Sequence, residues 1–176
     1  MNIFYLHNDV KTCAQMHNDK HVVKMILEYA QLLSTAHRVI DGTESIGLSK
    51  SGRKQKRYVL PDNRDSVLYA ATHLNHPSAK WVRHNIRNYC WLFSMWVELL
   101  REYTYRYDKR HKSQEIIEWC IFNKPMIPDV EFTLPARTVN ATGTSGQYTI
   151  TIVPAIPYVP IGYTVSGSNI GLNAVV

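Results

Sequence analysis

The chain has 176 residues, a formal net charge of +6 and an isoelectric point of about 9.2. This length suits one domain with a hydrophobic core and a short appendage. The charge fits an anionic partner such as nucleic acid and fits an ordinary basic protein equally well. Cys13, Cys90 and Cys120 are too far apart for a disulfide framework or a Cys-x-x-Cys metal site. No apolar run is long enough to span a membrane, and the N-terminus is too short and polar for a signal peptide, so a cytoplasmic location without membrane association is expected.

Two short elements are predicted before the first long helix. Residues 3–6 form an apolar run that could be a strand or an arm packed on the core. Asp9 can cap a helix over residues 10–16. Because Asn18 or Asp19 could cap the next helix, the two helices could also be one bent segment.

The strongest pattern is an amphipathic helix over residues 15–38, which we expect to organise the fold and to end at Asp41-Gly42. Apolar side chains recur with the helical period and predict one buried face: Val22, Val23, Ile26, Leu27, Ala30, Leu33 and Ala36. Polar side chains spaced by three and four residues predict a second face: His17, His21, Lys24, Glu28, Gln31, Thr35 and Arg38. This polar stripe is a candidate functional site as well as a candidate solvated surface.

Helices are also predicted over residues 64–74, 78–105 and 114–122, and a loop over residues 42–63. The second of these helices follows an Asn75-His76-Pro77 turn, and proline suits the first turn of a helix. It should be a second long core helix that lies along the first one. Its tryptophans, most clearly Trp96, have a spacing that favours core packing over base stacking.

The basic residues concentrate in two clusters. The first lies in the predicted loop and contains Lys50, Arg53, Lys54, Lys56 and Arg57. The second follows the long helix and places Arg106, Lys109, Arg110, His111 and Lys112 beside Tyr103, Tyr105 and Tyr107. Such clusters can follow a phosphate backbone, although charge runs are more commonly solvated.

The composition changes near the C-terminus. Residues 138–176 contain no Asp, Glu, Lys, Arg or His. Residues 147–153 and 161–165 alternate as strands do, and intervening prolines exclude one long strand. We therefore expect a mainly α protein: a compact helical domain around two long helices over residues 1–135, with an uncharged, β-prone extension over residues 136–176 that could mediate oligomerisation.

Three interpretations of the polar stripe compete. His17 and His21 are one helical turn apart and could bind a metal with Asp19 or Glu28. Asn18 replaces the glutamate of the HExxH motif, which weakens the metal interpretation without removing it, and no cofactor is expected. Alternatively, Glu28 could act in acid–base or electrostatic catalysis. The third interpretation is structural, with the stripe hydrogen-bonded to loops.

A resemblance to a known family favours catalysis. His21 precedes Glu28 by seven residues, and the Asn75-His76-Pro77 turn leads into a long aromatic helix. These two features resemble the pyrimidine-dimer DNA glycosylases of the endonuclease V type. The stretches MHNDKHVVKMILEYAQLLSTAHR, NHP and EYTYRYDKRHKS resemble more closely a group of phage proteins, over residues 1–135.

The resemblance implies an all-α fold and a double-stranded DNA substrate. In the glycosylases the N-terminal α-amine attacks the sugar C1′ and forms a Schiff base, a helix glutamate assists, and a nearby histidine supports the site. By position, Glu28 takes the glutamate role, His21 the histidine role, and Met1 supplies the amine, since the bulk of Asn2 favours retention of Met1. Leu27 and Gln31 stand where the family has arginines, so Lys24 and Arg38 would contact the substrate instead.

The expected function is therefore that of a phage-type DNA-binding protein resembling a base-excision glycosylase/AP lyase that acts on pyrimidines, with an altered or degenerate site. The residues expected at the nucleic acid are Lys24, Gln31, Arg38, Arg53, Lys54, Lys56, Arg57, Arg106, Lys109 and Arg110. The rival expectation is a non-enzymatic phage virion or host-interaction protein that assembles through its C-terminal extension. In either case the compartment would be the host cytoplasm.

Overall fold

The computed structural model describes residues 1–48, 51–135, 141–142 and 149–150. The elements up to residue 122 are α1 (Val10–Gln15), α2 (Asp19–Asp41), β1 (Thr43–Leu48), β2 (Lys54–Val59), α3 (Arg64–Val67), α4 (Pro77–His84), α5 (Ile86–Tyr107), a 3₁₀ helix (Lys112–Ile116) and α6 (Ile117–Phe122). The chain divides into two compact units, Met1–Arg137 and Thr138–Val176.

The two long helices α2 and α5 pack against each other and form the centre of the first unit, with α1 and α4 packed on them. Trp96 of α5 is fully buried, and its indole N–H donates to the Ile26 carbonyl of α2 at 3.0 Å. The prediction of a mainly α fold around two long helices is confirmed, and so is the core position of Trp96. Among the described residues no helix combines the length and the apolar composition needed to cross a bilayer.

Helix α2 begins and ends where local sequence signals predict. The Asn18 side chain accepts a hydrogen bond from the backbone N–H of His21 at 2.9 Å and caps the first turn. At the other end the Gly42 N–H donates to the Arg38 carbonyl, and a Cβ at position 42 would lie only 2.3 Å from that oxygen. The close approach of the backbone therefore requires glycine at position 42. Because Asn18 caps the start of α2, α1 and α2 are two separate helices.

The predicted faces of α2 need correction. Val23 and Leu27, predicted to be buried, are exposed, whereas Thr35 and Arg38 of the polar stripe are buried. The N-terminal half of α2 has one solvent-facing side, but its C-terminal half is enclosed by α4, α5 and the β1–β2 pair. Burial there follows the surrounding elements, which a helical period does not reveal.

The helix predicted over residues 78–105 is two helices, α4 and α5. Asn85 lies between them with an extended backbone, and its side chain accepts from the Asn88 N–H at 2.7 Å. Its amide group also donates to the Glu131 carbonyl at 3.0 Å. The side chain thus caps α5 and binds a distant segment, and both bonds favour a break over a continuous helix.

The helix predicted over residues 64–74 is shorter than expected, since α3 ends at Val67. The guanidinium of Arg38 donates hydrogen bonds to the carbonyls of Asp65, Leu68 and Tyr69 at 2.6–2.9 Å. A longer helix would need these acceptors for its own backbone ladder. A buried arginine from α2 therefore ends α3.

The prediction of a loop over residues 42–63 is wrong for the residues of β1 and β2. β1 and β2 form an antiparallel pair, with Thr43 opposite Val59 and Leu48 opposite Lys54. We call this pair the ribbon. It is anchored by the Tyr58 carbonyl, which accepts from Arg38 at 2.8 Å, and by the Leu60 N–H, which donates to Asp65 at 2.9 Å. A lysine-rich sequence has low strand propensity, so the sequence alone favoured a loop.

Helix α1 confirms the prediction for residues 10–16, because Asp9 accepts from the Thr12 N–H at 2.8 Å. The helix predicted over residues 114–122 is a 3₁₀ turn followed by the shorter α6.

In the second unit, β3 (Ala141–Thr142) pairs with β4 (Thr149–Ile150) in antiparallel orientation. Apart from residues 149–150, the strands predicted over 147–153 and 161–165 lie outside the described residues, as does Lys50 of the first basic cluster.

Candidate active site

The α-amine of Met1 lies beside Glu28 of α2, with 3.7 Å between Met1 N and Glu28 Oε2. The side chains of Met1 and Glu28 are 4% and 16% exposed, respectively. Lys24, one turn earlier and largely exposed, places its Nζ 3.4 Å from Glu28 Oε1. One carboxylate therefore faces two cationic amines, the α-amine of Met1 and the exposed Nζ of Lys24.

Hydrogen bonds to α1 and α2 hold the N-terminal arm in this position. The Phe4 N–H donates to Tyr29 Oη at 3.1 Å, and Tyr29 directly follows Glu28. The Cys13 thiol donates to the Phe4 carbonyl at 3.4 Å and accepts from the Leu6 N–H at 3.3 Å. Residues 3–6 are therefore an arm packed on the core and not a strand, and the arm fixes where the α-amine lies.

His17 belongs to this anchoring network. It is buried, lies before the Asn18 cap, and its Nδ1 is 2.8 Å from the Cys13 carbonyl, which requires Nδ1 to carry a proton. Its Nε2 is then an acceptor facing Tyr29 Oη at 3.5 Å. Among the described residues no group of three or more His, Cys, Asp or Glu side chains could hold a metal ion.

His21 lies on the half-buried side of α2 and stacks on Phe4, with ring centroids 4.5 Å apart and an interplanar angle of 14°. Its Nδ1 is 3.4 Å from the Asn18 amide nitrogen. The ring thus packs on the arm that carries Met1, which fits a supporting role better than direct proton transfer.

His76 is the N-cap residue of α4, and the Met1 ammonium, His73 and Glu28 all contribute to its electrostatic environment. Partial burial is the largest effect and lowers the pKa of His76, the Met1 ammonium and His73 lower it further, and Glu28 opposes them. His76 Nδ1 accepts from the Ser78 N–H at 3.2 Å, so the neutral ring carries its proton on Nε2.

The sequence contained a signal for His76, because a residue before Pro77 at a helix start is a capping position. No local pattern indicates the role of Tyr29. Its position matches the period of the buried face of α2, and no neighbouring residue predicts its hydrogen bond to the N-terminal arm. Contacts between segments far apart in sequence supply that information.

Two arginines expected at the nucleic acid are engaged inside the protein. Arg38 is 7% exposed, and its guanidinium donates to the Tyr58, Asp65, Leu68 and Tyr69 carbonyls and to the Asp65 carboxylate. Arg106 donates to Glu102, Asp19 and the carbonyls of Gln15 and His17. Both therefore join secondary-structure elements: all five N–H donors of Arg38 and four of the five of Arg106 are engaged within the protein in this structure.

The other expected contacts lie in three places. Lys24 and the half-buried Gln31 flank Glu28 on α2, beside the exposed Val23 and Leu27. Lys54, Lys56 and Arg57 are exposed on β2, with Arg53 just before that strand. Lys109 and Arg110 are exposed after α5. The structure thus offers exposed cations on α2, on the ribbon and after α5.

Comparison of the chain with models of known protein families, with curated proteins and with solved structures finds no match.

Proposed function

We propose that the chain is a DNA-binding protein with the site of a base-excision glycosylase/AP lyase, acting on a damaged pyrimidine nucleotide or on an abasic site. The observation that carries this proposal is the α-amine of Met1 held 3.7 Å from Glu28 Oε2 by a hydrogen-bonded arm. A carboxylate beside an α-amine suits covalent chemistry through an amine nucleophile. The proposal also draws on the resemblance of the His21–Glu28 spacing and the Asn75-His76-Pro77 turn to the glycosylases.

In this reaction the Glu28 carboxylate accepts a proton from the Met1 ammonium, and the freed lone pair attacks C1′ of the sugar. The C1′–base bond breaks, and the base leaves with the bonding electrons and takes up a proton. The nitrogen loses a second proton to solvent, its lone pair forms the iminium with C1′ as the C1′–O4′ bond breaks, and the ring oxygen takes the proton that Glu28 had accepted. Glu28, again a carboxylate, then stabilises the positive charge of the iminium. With an abasic aldehyde the same iminium forms by loss of water.

The surrounding residues have distinct parts in this proposal. His21 and Phe4 keep the arm in place by stacking. His76, with its proton on Nε2, donates to the departing base or to the ring oxygen. Lys24 meets a phosphate next to the flipped nucleotide, because it is exposed and already lies at the edge of the site.

Borohydride trapping with a duplex that contains one abasic site tests the proposal. Borohydride reduces an iminium to a stable amine, so the wild-type chain should form a covalent adduct that peptide mass spectrometry places on Met1 N. Glu28→Gln should reduce the adduct at least about 100-fold, the range found for positioned acid–base groups. Glu118→Gln, which alters an exposed glutamate on α6, should trap like the wild type.

Absence of an adduct in the wild type, or an adduct on a lysine that Glu28→Gln does not affect, would overturn the proposed chemistry. Absence of duplex binding at low salt as well would leave the rival, a non-enzymatic phage protein.

A further inference from the structure

The ribbon has two exposed faces. Its strands pair only with each other within the described part of the chain, and nearly every residue of β1 and β2 is exposed or half-exposed. Ile46 and Leu48 are 74% and 60% exposed. An isolated two-stranded ribbon is marginally stable in water, so exposed apolar residues on it call for an explanation.

The ribbon is nevertheless held firmly at its base. Arg38 donates to the Tyr58 carbonyl at 2.8 Å, and Asp65 both pairs with Arg38 at 2.6 Å and accepts from the Leu60 N–H at 2.9 Å. Further out, the Arg57 side chain lies over Gly47, where an added Cβ would be 2.7 Å from Arg57 Cδ, and donates to the Leu48 carbonyl at 2.6 Å. The projecting strands are therefore preorganised.

One face of the ribbon has an apolar row beside a cationic row. Residues directly opposite in an antiparallel pair share a face, and Ile46 is opposite Lys56 while Leu48 is opposite Lys54. Tyr58 and Glu44, also opposite each other, complete this face nearer the base. Ile46 and Leu48 on β1 can make apolar contacts, while Lys54 and Lys56 on β2 can pair with negative charge.

We propose that this face of the ribbon, formed by Ile46, Leu48, Lys54 and Lys56, is a docking surface for a groove of duplex DNA. The partner rests on the proposed function, which makes the substrate DNA. A two-stranded ribbon fits the major groove, where lysines reach the phosphates at the rim and apolar side chains contact thymine methyl groups and sugars. The complementary charge of the lysine row is what selects this partner.

Glu44 limits the affinity of this surface. Its carboxylate pairs with Lys56 at 2.7 Å and accepts from the Tyr58 hydroxyl at 3.1 Å. Since this carboxylate both neutralises Lys56 and repels a phosphate, its removal should strengthen binding.

Equilibrium binding of a 20-base-pair duplex, measured by fluorescence anisotropy over a range of salt concentrations, tests the inference. Lys54→Gln/Lys56→Gln should weaken binding on the order of 20-fold near 100 mM salt and reduce the slope of log K against log salt by about 1, because Glu44 already neutralises Lys56 in the wild type. Ile46→Ser/Leu48→Ser should weaken binding about 10-fold with little change in the slope. Glu44→Gln should tighten binding on the order of fivefold and steepen the slope by about 1.

Lys11→Gln/Lys124→Gln is the matched control, since it removes the same charge from two exposed lysines outside the ribbon. It should change affinity less than threefold. If the control weakens binding as much as the ribbon variants, if the ribbon variants bind like the wild type, or if the wild type binds vesicles with 30% phosphatidylserine but no duplex, the inference is overturned. Duplex binding that depends on the ribbon without any borohydride adduct would instead reject the proposed chemistry and keep the ribbon surface.

Discussion

The Phe4 backbone N–H donates to the hydroxyl of Tyr29, 25 residues later, at 3.1 Å. Tyr29 is fully buried, and burial raises the pKa of its hydroxyl far above the ordinary value, which favours the neutral phenol. A neutral hydroxyl can accept from Phe4 and donate to His17 at once. This relationship sets the place of the N-terminal arm on α2, and with it the place of the Met1 amine beside Glu28.

Tyr29→Phe should loosen the N-terminal arm without creating a cavity in the core. The phenyl ring keeps the packing, but the Phe4 N–H and His17 lose a partner, so the free energy of unfolding should fall by about 1–2 kcal/mol. Hydrogen exchange at the Phe4 amide should accelerate more than exchange in α5, and borohydride trapping should slow. Tyr105→Phe, which alters an exposed tyrosine of α5, should change none of these quantities. Equal acceleration at all amides would argue against a local anchor.

A Gly-Ser extension before Met1 should abolish trapping. It converts the α-amine into an amide, which cannot attack C1′ or carry the positive charge that pairs with Glu28. A cleavable leader whose removal regenerates Met1 provides the control, because trapping should return after cleavage. Duplex affinity should change little, since the proposed docking surface on the ribbon is untouched. Full trapping by the extended chain would show that the nucleophile is another amine.

Arg38→Gln should destabilise the fold and leave DNA binding intact wherever the protein is folded. The substitution removes donors from four carbonyls and from Asp65, and buried acceptors without partners cost about 3 kcal/mol or more together. Urea denaturation followed by circular dichroism measures this loss. Arg87→Gln breaks the exposed pair with Asp129 and should cost less than about 1 kcal/mol. If Arg38→Gln bound the duplex more weakly than the wild type under conditions where it is folded, Arg38 would again be a candidate substrate contact.

His37 should make stability fall as the solution becomes acidic. Burial, assisted by Arg64, lowers the pKa of His37 to about 4, from an ordinary value near 6.5. Arg64 donates to its Nδ1 at 3.0 Å, and its Nε2 lies 2.7 Å from the Tyr89 hydroxyl, so the neutral ring is the one that fits. The unfolded chain therefore binds the extra proton.

It follows that the His37 contribution is complete above about pH 6.5 and is lost as the pH falls toward 4, by about 3 kcal/mol in all. Denaturant unfolding at several pH values should show this slope in the wild type and a flatter profile in His37→Gln, whose amide can accept from Arg64 and donate to Tyr89. His84→Gln alters an exposed histidine and should retain the wild-type slope. If the free energy of unfolding of His37→Gln depended on pH as it does in the wild type, the loss of stability in acid would come from other groups.

The sequence by itself determined the elements whose signals are local. The helical period over residues 15–38, the Asn18 cap and the Gly42 end define α2, and Asp9 defines α1, because capping needs only neighbouring residues. The aromatic period after Pro77 placed Trp96 in the core. The pairing of an N-terminal amine with Glu28 came from a resemblance, and the contact between them needed the packed arm.

The tertiary structure decided which polar residues face solvent. Glu28 and Arg38 lie in the same predicted stripe, yet one borders the Met1 amine and the other is enclosed by carbonyls from residues 58–69. Buried polar groups must find partners, and those partners come from segments remote in sequence. For the same reason the ribbon and the break at Asn85 become visible only once the chain is folded.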